Sequence, residues 1–196
     1  MVNICLFGGT FDPPHFAHLS LAETVLRTTV VDKVVFIPAF LPPHKSNKSY
    51  SNIQHRINML DLALENRDEF EISEIESERK GKSYTVDTIK EYQKQFNIKK
   101  ENLFFLIGSD SLVNFHAWRK PDEILNLAQI LVVLRPTFSK NSVDSQLLKQ
   151  VKFLDSPLSD ISSSMIRQYL KAGRSVKHLI PEKVLTYIRR NELYTF

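Results

Sequence analysis

A doubly wound parallel α/β sheet, with helices on both faces and a helical C-terminal segment, is the fold this sequence predicts. Three observations point to it. Apolar strand candidates alternate with amphipathic helix candidates almost from end to end. The strand candidates are nearly continuous apolar runs, as strands covered on both faces must be. Most of them end at glycine or proline, and the polar and titratable residues of interest fall just after those breaks.

In chain order, Val2 to Phe7 is the first strand. The helix after it carries His18, Leu21, Ala22 and Val25 at helical spacing, with Leu19 and Leu26 widening the stripe. Lys33 to Ile37 is a second strand, stopped by Pro38. Ile53, Ile57, Leu60 and Leu64 stripe a second helix, capped by Ser51 or Asn52. Phe70 to Ile75 alternates apolar and polar and predicts a short strand. The turn Gly81-Lys82-Ser83 leads into a helix from Tyr84 to Phe96. Leu103 to Ile107 is the most apolar strand and ends at Gly108. Pro121 suits the first turn of a helix through Ile124, Leu125 and Ala128. Ile130 to Leu134 follows as a strand, stopped by Pro136. Thr137 to Ser145 is polar without a strong period, which predicts a loop or a frayed helix start. Ser162 begins a short helix ending near Gly173, and Pro181 opens the last one, with Val184, Leu185 and Ile188 on its buried side. A sheet of this kind takes its ligand at the carboxyl ends of the strands, where the strand order reverses.

The 196 residues suffice for one sizeable core, so residues 1–196 are expected to form one domain. Hydrophobic residues at 42% and charged residues at 24% exclude a disordered or fibrous chain. No apolar run approaches the ~20 residues of a membrane span, and the N-terminus lacks a secretion signal, so a cytoplasmic location is expected. Cys5 is the only cysteine and lies in the first strand, which excludes an intrachain disulfide and favours core packing over nucleophilic chemistry. The net charge of +4 is scattered in small groups such as Arg79-Lys80 and Arg189-Arg190, with acidic residues between. A polyanionic small substrate explains that balance as well as nucleic acid does, and neither a nucleic-acid nor a membrane partner is expected. The sequence leaves a homo-oligomer open.

The chemistry concentrates in five short runs. Between Phe7 and His18, a strand breaks at Gly8-Gly9 and two histidines stand where a helix begins. Glycines admit close approach of an anion, and a helix start supplies free N–H groups and positive potential. His15 and His18, three apart, project from one side of that turn. A His-x-x-His pair can also chelate a metal, but no neighbouring cysteine or carboxylate cluster completes a shell, so no protein-held metal is expected. The run is neither a Walker A loop nor a Gly-x-Gly-x-x-Gly fingerprint. Pro42-Pro43-His44-Lys45 offers a stiffly approached loop lysine. Ser83 to Thr88 opens a helix, with Ser83 or Thr85 as an ordinary cap and Asp87 in a favourable first-turn position. Gly108-Ser109-Asp110 ends a strand with a carboxylate that either caps a helix or accepts ribose hydroxyls, and Trp118, the sole tryptophan, sits beside Arg119 and Lys120. Ser162-Ser163-Ser164 puts three hydroxyls at a helix start where a cap needs one, with Arg167 a turn onward.

Phe7 to His18 resembles the Gly-Gly-Thr-Phe-Asp-Pro-x-His-x-Gly-His signature of the nucleotidyltransferase superfamily, and the other runs resemble its nicotinate-nucleotide adenylyltransferase branch. Ala17 stands where that family has glycine, and Arg119 where it often has a second aromatic. The resemblance implies a Rossmann-like fold and AMP transfer from ATP to nicotinate mononucleotide, giving nicotinate adenine dinucleotide and pyrophosphate in NAD biosynthesis. It implies that Gly8, Gly9, Thr10, Phe11, His15, His18, Ser162, Ser163, Ser164 and Arg167 hold ATP. It implies that Lys45, Thr85, Gly108, Asp110, Trp118 and Arg119 hold the nicotinate nucleotide, with His15, His18, Lys45 and Arg167 as the catalytic set. Mg²⁺ is expected to arrive on the ATP phosphates. The attacking phosphate is already ionised, so the reaction requires positioning and charge neutralisation rather than a general base. Pantetheine-phosphate and glycerol-phosphate nucleotidyltransferases share the first motif, but not the Ser-Tyr-Thr-x-Asp-Thr run together with the tryptophan. A non-catalytic nucleotide sensor or an RNA-binding module is the alternative from another class, and the intact histidine pair weighs against it.

Overall fold

In the computed structural model, residues 2–42, 50–134, 138–139, 143–155 and 159–195 are described. The apolar runs form strands β1 (Ile4–Gly9), β2 (Lys33–Pro38), β3 (Phe70–Ile72), β4 (Leu103–Gly108), β5 (Gln129–Val133) and β6 (Val151–Leu154). All pairings are parallel, in the order β3-β2-β1-β4-β5-β6. The chain winds outward from β1 to β3, then returns to lay β4 on the other side of β1. The reversal between β1 and β4 is the switch point of a Rossmann-like sheet.

Helices α1 (Phe16–Thr28), α2 (Ile53–Leu64), α3 (Ile75–Arg79), α4 (Thr85–Phe96), α5 (Ser109–Val113), α6 (Pro121–Leu127), α7 (Ser145–Gln150), α8 (Ser163–Lys171) and α9 (Glu182–Arg190) surround the sheet. Strand residues alternate between its two faces. Cys5, Phe7, Val34, Phe36, Phe104 and Leu106 pack against α1, α2, α8 and α9. Leu6, Val35, Ile37, Phe105 and Ile107 pack against α3, α4 and α6. Helices cover both faces of the central strands, which is why these strands read as continuous apolar runs. Among the described residues, no helix is long and apolar enough to cross a membrane.

Several expectations need correction. The first strand does not break at the glycines: it runs through them, with Gly8 opposite Ile37 and Gly9 opposite Pro38, and the turn falls at residues 10–15. The strand expected over Phe70 to Ile75 stops at Ile72, and Ile75 instead opens α3. Ser83 and Thr85 do not cap α4; Tyr84 holds the cap position. Helices α5 and α7 and the edge strand β6 were not anticipated, because each is four to six residues long. Segments that short carry too little period to register. Pro136, expected to stop β5, lies outside the described residues.

The pairing of β1 with β4 is the feature that makes a site. It extends only over Ile4–Leu6 against Leu103–Phe105. Beyond it, the last residues of both strands diverge, and their carboxyl ends stand apart at the switch point.

Candidate active site

The turn from β1 into α1 is built on a buried ring. A Cβ on Gly9 would sit 2.7 Å from the Phe11 ring, so the bare glycine is what lets that ring fold beneath it. Gly8 has a different role. A Cβ there would meet only Phe105 at 3.5 Å, and the residue is exposed toward the strand ends. Phe11 has φ +49° yet is 1% exposed, packed edge-on against Phe7 at 5.5 Å and beside Phe36. Its side chain is an anchor for the turn, with Asp12, a cis Pro13 and Pro14 following.

His15 holds the N-cap position of α1 in extended backbone, which aims its ring across the helix start. The His18 ring stacks on it, with centroids 3.6 Å apart and planes 21° from parallel. The backbone N–H of His15 donates to His18 Nδ1 at 3.3 Å, so the neutral His18 ring carries its proton on Nε2. Phe7 and Phe11 support the His18 ring edge-on. The helix terminus offers less than the sequence suggested, because the Phe16 N–H is already donated to the Leu179 carbonyl.

The start of α8 closes on the same turn. Ser162 caps α8 by accepting from the Met165 N–H at 3.2 Å. Ser163 Oγ donates to the Pro13 carbonyl at 2.9 Å, and Arg167 Nη1 donates to the Asp12 carbonyl at 2.6 Å. Arg167 Nη2 reaches Ser164 Oγ at 3.3 Å. The three hydroxyls thus have separate structural tasks, which answers why one cap was not enough. Asp12 is fully buried: Oδ1 accepts from the Tyr194 hydroxyl and Oδ2 from the Ser51 N–H. Arg56, 2% exposed, donates to the carbonyls of Thr10, Ala39 and Ser51. Burial pushes its guanidinium down from the ordinary arginine value, and Asp12 opposes that shift.

Across the switch point lies a cavity of about 230 Å³, lined by Gly8, Thr10, Thr85, Thr88, Gly108 and Trp118 among others. Thr85 is the first residue of α4, where helix geometry leaves N–H groups without intrahelical partners. Trp118 is half-buried at the rim, propped by Phe115 at 5.2 Å and edge-on to Phe105. Arg119 is exposed, pairs with Asp87 at 3.1 Å and lies 4.7 Å over the Tyr84 ring. Asp110 is exposed in the first turn of α5 and does not line this cavity, whereas Ser111 does. Ser83 exchanges two hydrogen bonds with Leu41, tying the segment after β2 to the entry of α4. A second, mostly apolar cavity of about 150 Å³ lies on the other side of α1, between Phe16, Ala17 and Leu21 and the segment Val133–Leu134 with Ile161. Lys45 lies outside the described residues.

The sequence reading missed four residues that organise this site. Arg56 was signalled, since a cation stood within the apolar stripe Ile53, Ile57 and Leu60. Asp12 was seen only as a letter of the motif, and Tyr194 sits in a tail with no motif at all. Glu76 lines the first cavity from α3, with Oε1 accepting from the Thr88 hydroxyl at 2.6 Å and Oε2 unpartnered among the described residues. It falls just past the expected strand, in a five-residue helix too short to show a period.

A match to the cytidylyltransferase-like family covers residues 6–169. A Clostridium tetani protein named probable nicotinate-nucleotide adenylyltransferase is 41% identical over 99% of this chain and 100% of its own length. The Bacillus subtilis nicotinate-nucleotide adenylyltransferase is 40% identical over 99% of both chains. Among solved structures, the Plasmodium falciparum nicotinic acid mononucleotide adenylyltransferase complexed with NaAD superposes with a TM-score of 0.82 at 23% identity. That superposition covers 100% of this chain and 98% of the other.

Proposed function

Because the chain belongs to the cytidylyltransferase-like family as one of its nicotinate-nucleotide adenylyltransferases, making nicotinate adenine dinucleotide and pyrophosphate from nicotinate mononucleotide and ATP, we propose a division of labour between the two cavities described above. The cavity at the diverging strand ends takes the pyridine nucleotide. Its ring stacks on Trp118, and its carboxylate accepts from the N–H groups at the start of α4, at Thr85. The apolar cavity beside Phe16 and Ala17 takes the adenine, with the Ala17 methyl group on its wall. The triphosphate then spans the turn between them, over His15, His18 and the first residues of α8.

The single observation that carries this reading is the joining of two helix starts through one loop. Ser163 and Arg167 are bonded to the carbonyls of Pro13 and Asp12, two or three residues before the stacked histidines. The phosphate of the mononucleotide attacks the α-phosphorus in line, its O–P bond forming as the bond to pyrophosphate breaks. His18 Nε2–H and the α8 terminus stabilise the charge that moves onto the departing pyrophosphate. Arg167 holds the loop and adds positive potential, and Lys45 is assigned to phosphate by the family resemblance alone. Mg²⁺ enters with ATP as part of the substrate. Asp110 and Arg119 stand near the pyridine cavity as secondary contacts of the nucleotide.

The test is a comparison of initial pyrophosphate release from nicotinate and nicotinamide mononucleotides at equal ATP. The nicotinate form is expected to react faster, because only it presents a carboxylate to α4. Equal rates would remove the Thr85 terminus from the recognition scheme.

A further inference from the structure

The segment after α9 is bent back on itself and brings Tyr194 into the site's supporting network. Glu192 and Tyr194 both have positive φ, +51° and +66°, a backbone that bulky residues adopt only where surrounding structure holds it. The Leu193 N–H caps back to the Ile188 carbonyl at 3.0 Å. Helix α9 is itself pinned to α2, where the Tyr187 hydroxyl meets His55 Nδ1 and Asn58 Nδ2, each at 2.9 Å. This geometry delivers the Tyr194 hydroxyl to Oδ1 of Asp12, with Met59 Sδ at its other side.

Asp12 is where the catalytic turn is held. Its carboxyl oxygens accept from Tyr194 and Ser51, its carbonyl accepts from Arg167, and the Arg167 guanidinium lies 4.0 Å from Oδ2. Three residues later comes His15. Burial, with the charge of Asp12 second, pushes the Tyr194 phenol well above its ordinary value, so it remains a hydrogen-bond donor across the neutral range. A buried carboxyl group with partners from three distant segments fixes a position more firmly than any one segment can.

We propose that Tyr194 is a positioning residue of adenylyl transfer, acting through Asp12 to hold the Arg167 guanidinium in register with the triphosphate. The proposal rests on the assignment of His15, His18 and Arg167 to the phosphate end. In the full chain, Tyr194→Phe deletes one oxygen while keeping the ring. It should lower kcat about tenfold, the scale of a lost hydrogen bond to a charged group, and leave the KM for nicotinate mononucleotide within twofold. A purely structural role would not act selectively through Arg167, so the decisive readout is a double-mutant cycle. In an Arg167→Ala background, Tyr194→Phe should cost less than threefold in kcat. An undiminished kcat in Tyr194→Phe, or the same fold-loss in both backgrounds, overturns the proposal. His18→Ala measured alongside separates the two failures: a loss there with an inert Tyr194 rejects only the tail's role, whereas full activity in His18→Ala rejects the site assignment itself.

Discussion

The two ends of the site are built in opposite ways. At the proposed phosphate end, Ser163, Arg167, Asp12, Arg56 and Tyr194 all direct hydrogen bonds to one another or to loop carbonyls. At the proposed pyridine end, Thr85 and Trp118 line open space, and the nearby Arg119–Asp87 pair is exposed to solvent. Charge that develops during reaction is stabilised best by groups that need not move when it appears, so on this proposal the rigid end is expected to set the rate. A flat ring recognised by stacking and one helix terminus needs shape and free donors, so the open end is expected to set affinity. Substitutions should therefore divide cleanly between kcat and KM.

The largest expected effect is at the rigid end. His18→Ala should lower kcat by a factor on the order of a hundred or more, with the KM for the mononucleotide little changed, read from pyrophosphate release. Trp118→Ala should do the reverse, raising that KM roughly tenfold while kcat holds, since a lost stack on a base costs about 1–3 kcal/mol. If Trp118→Ala lowered kcat as much as His18→Ala does, the division between ends would fail. Gly9→Ala sharpens the comparison through stability: its new Cβ would press on the Phe11 ring, and overpacking of this kind costs about 1–3 kcal/mol in a denaturant midpoint. Gly8→Ala, with only an ordinary contact to Phe105, should leave that midpoint nearly unchanged. The smallest effect on kinetics is expected for Arg119→Ala. Its exposed ion pair is worth about 0–1 kcal/mol, so KM should move by about fivefold at most.

Most of the architecture was legible because strands covered on both faces must be apolar throughout, and helices covered on one face must repeat at helical spacing. Lys33 to Pro38 and Leu103 to Gly108 are read nearly to the residue on that basis. What escaped was short or non-local. Val151–Leu154 is an edge strand of four residues, below the length at which alternation is informative. Of the site, the runs ending in His15, His18, Trp118 and Arg167 announced themselves by local chemistry. The partners of Asp12 did not, because Ser51, Arg167 and Tyr194 reach it from 39, 155 and 182 residues away. No spacing rule relates positions so separated. Gly9 was legible as a glycine, but the phenylalanine ring two residues on that a Cβ would press was not.

Trp118 is the only tryptophan in the chain and stands at the rim of the cavity proposed to receive the pyridine ring. Its indole emission is consequently an optical gauge of that cavity alone. An electron-poor ring laid on it should quench that emission, so occupancy can be titrated without label, turnover or ATP, and the order in which the two substrates enter can be read directly from the unmodified protein.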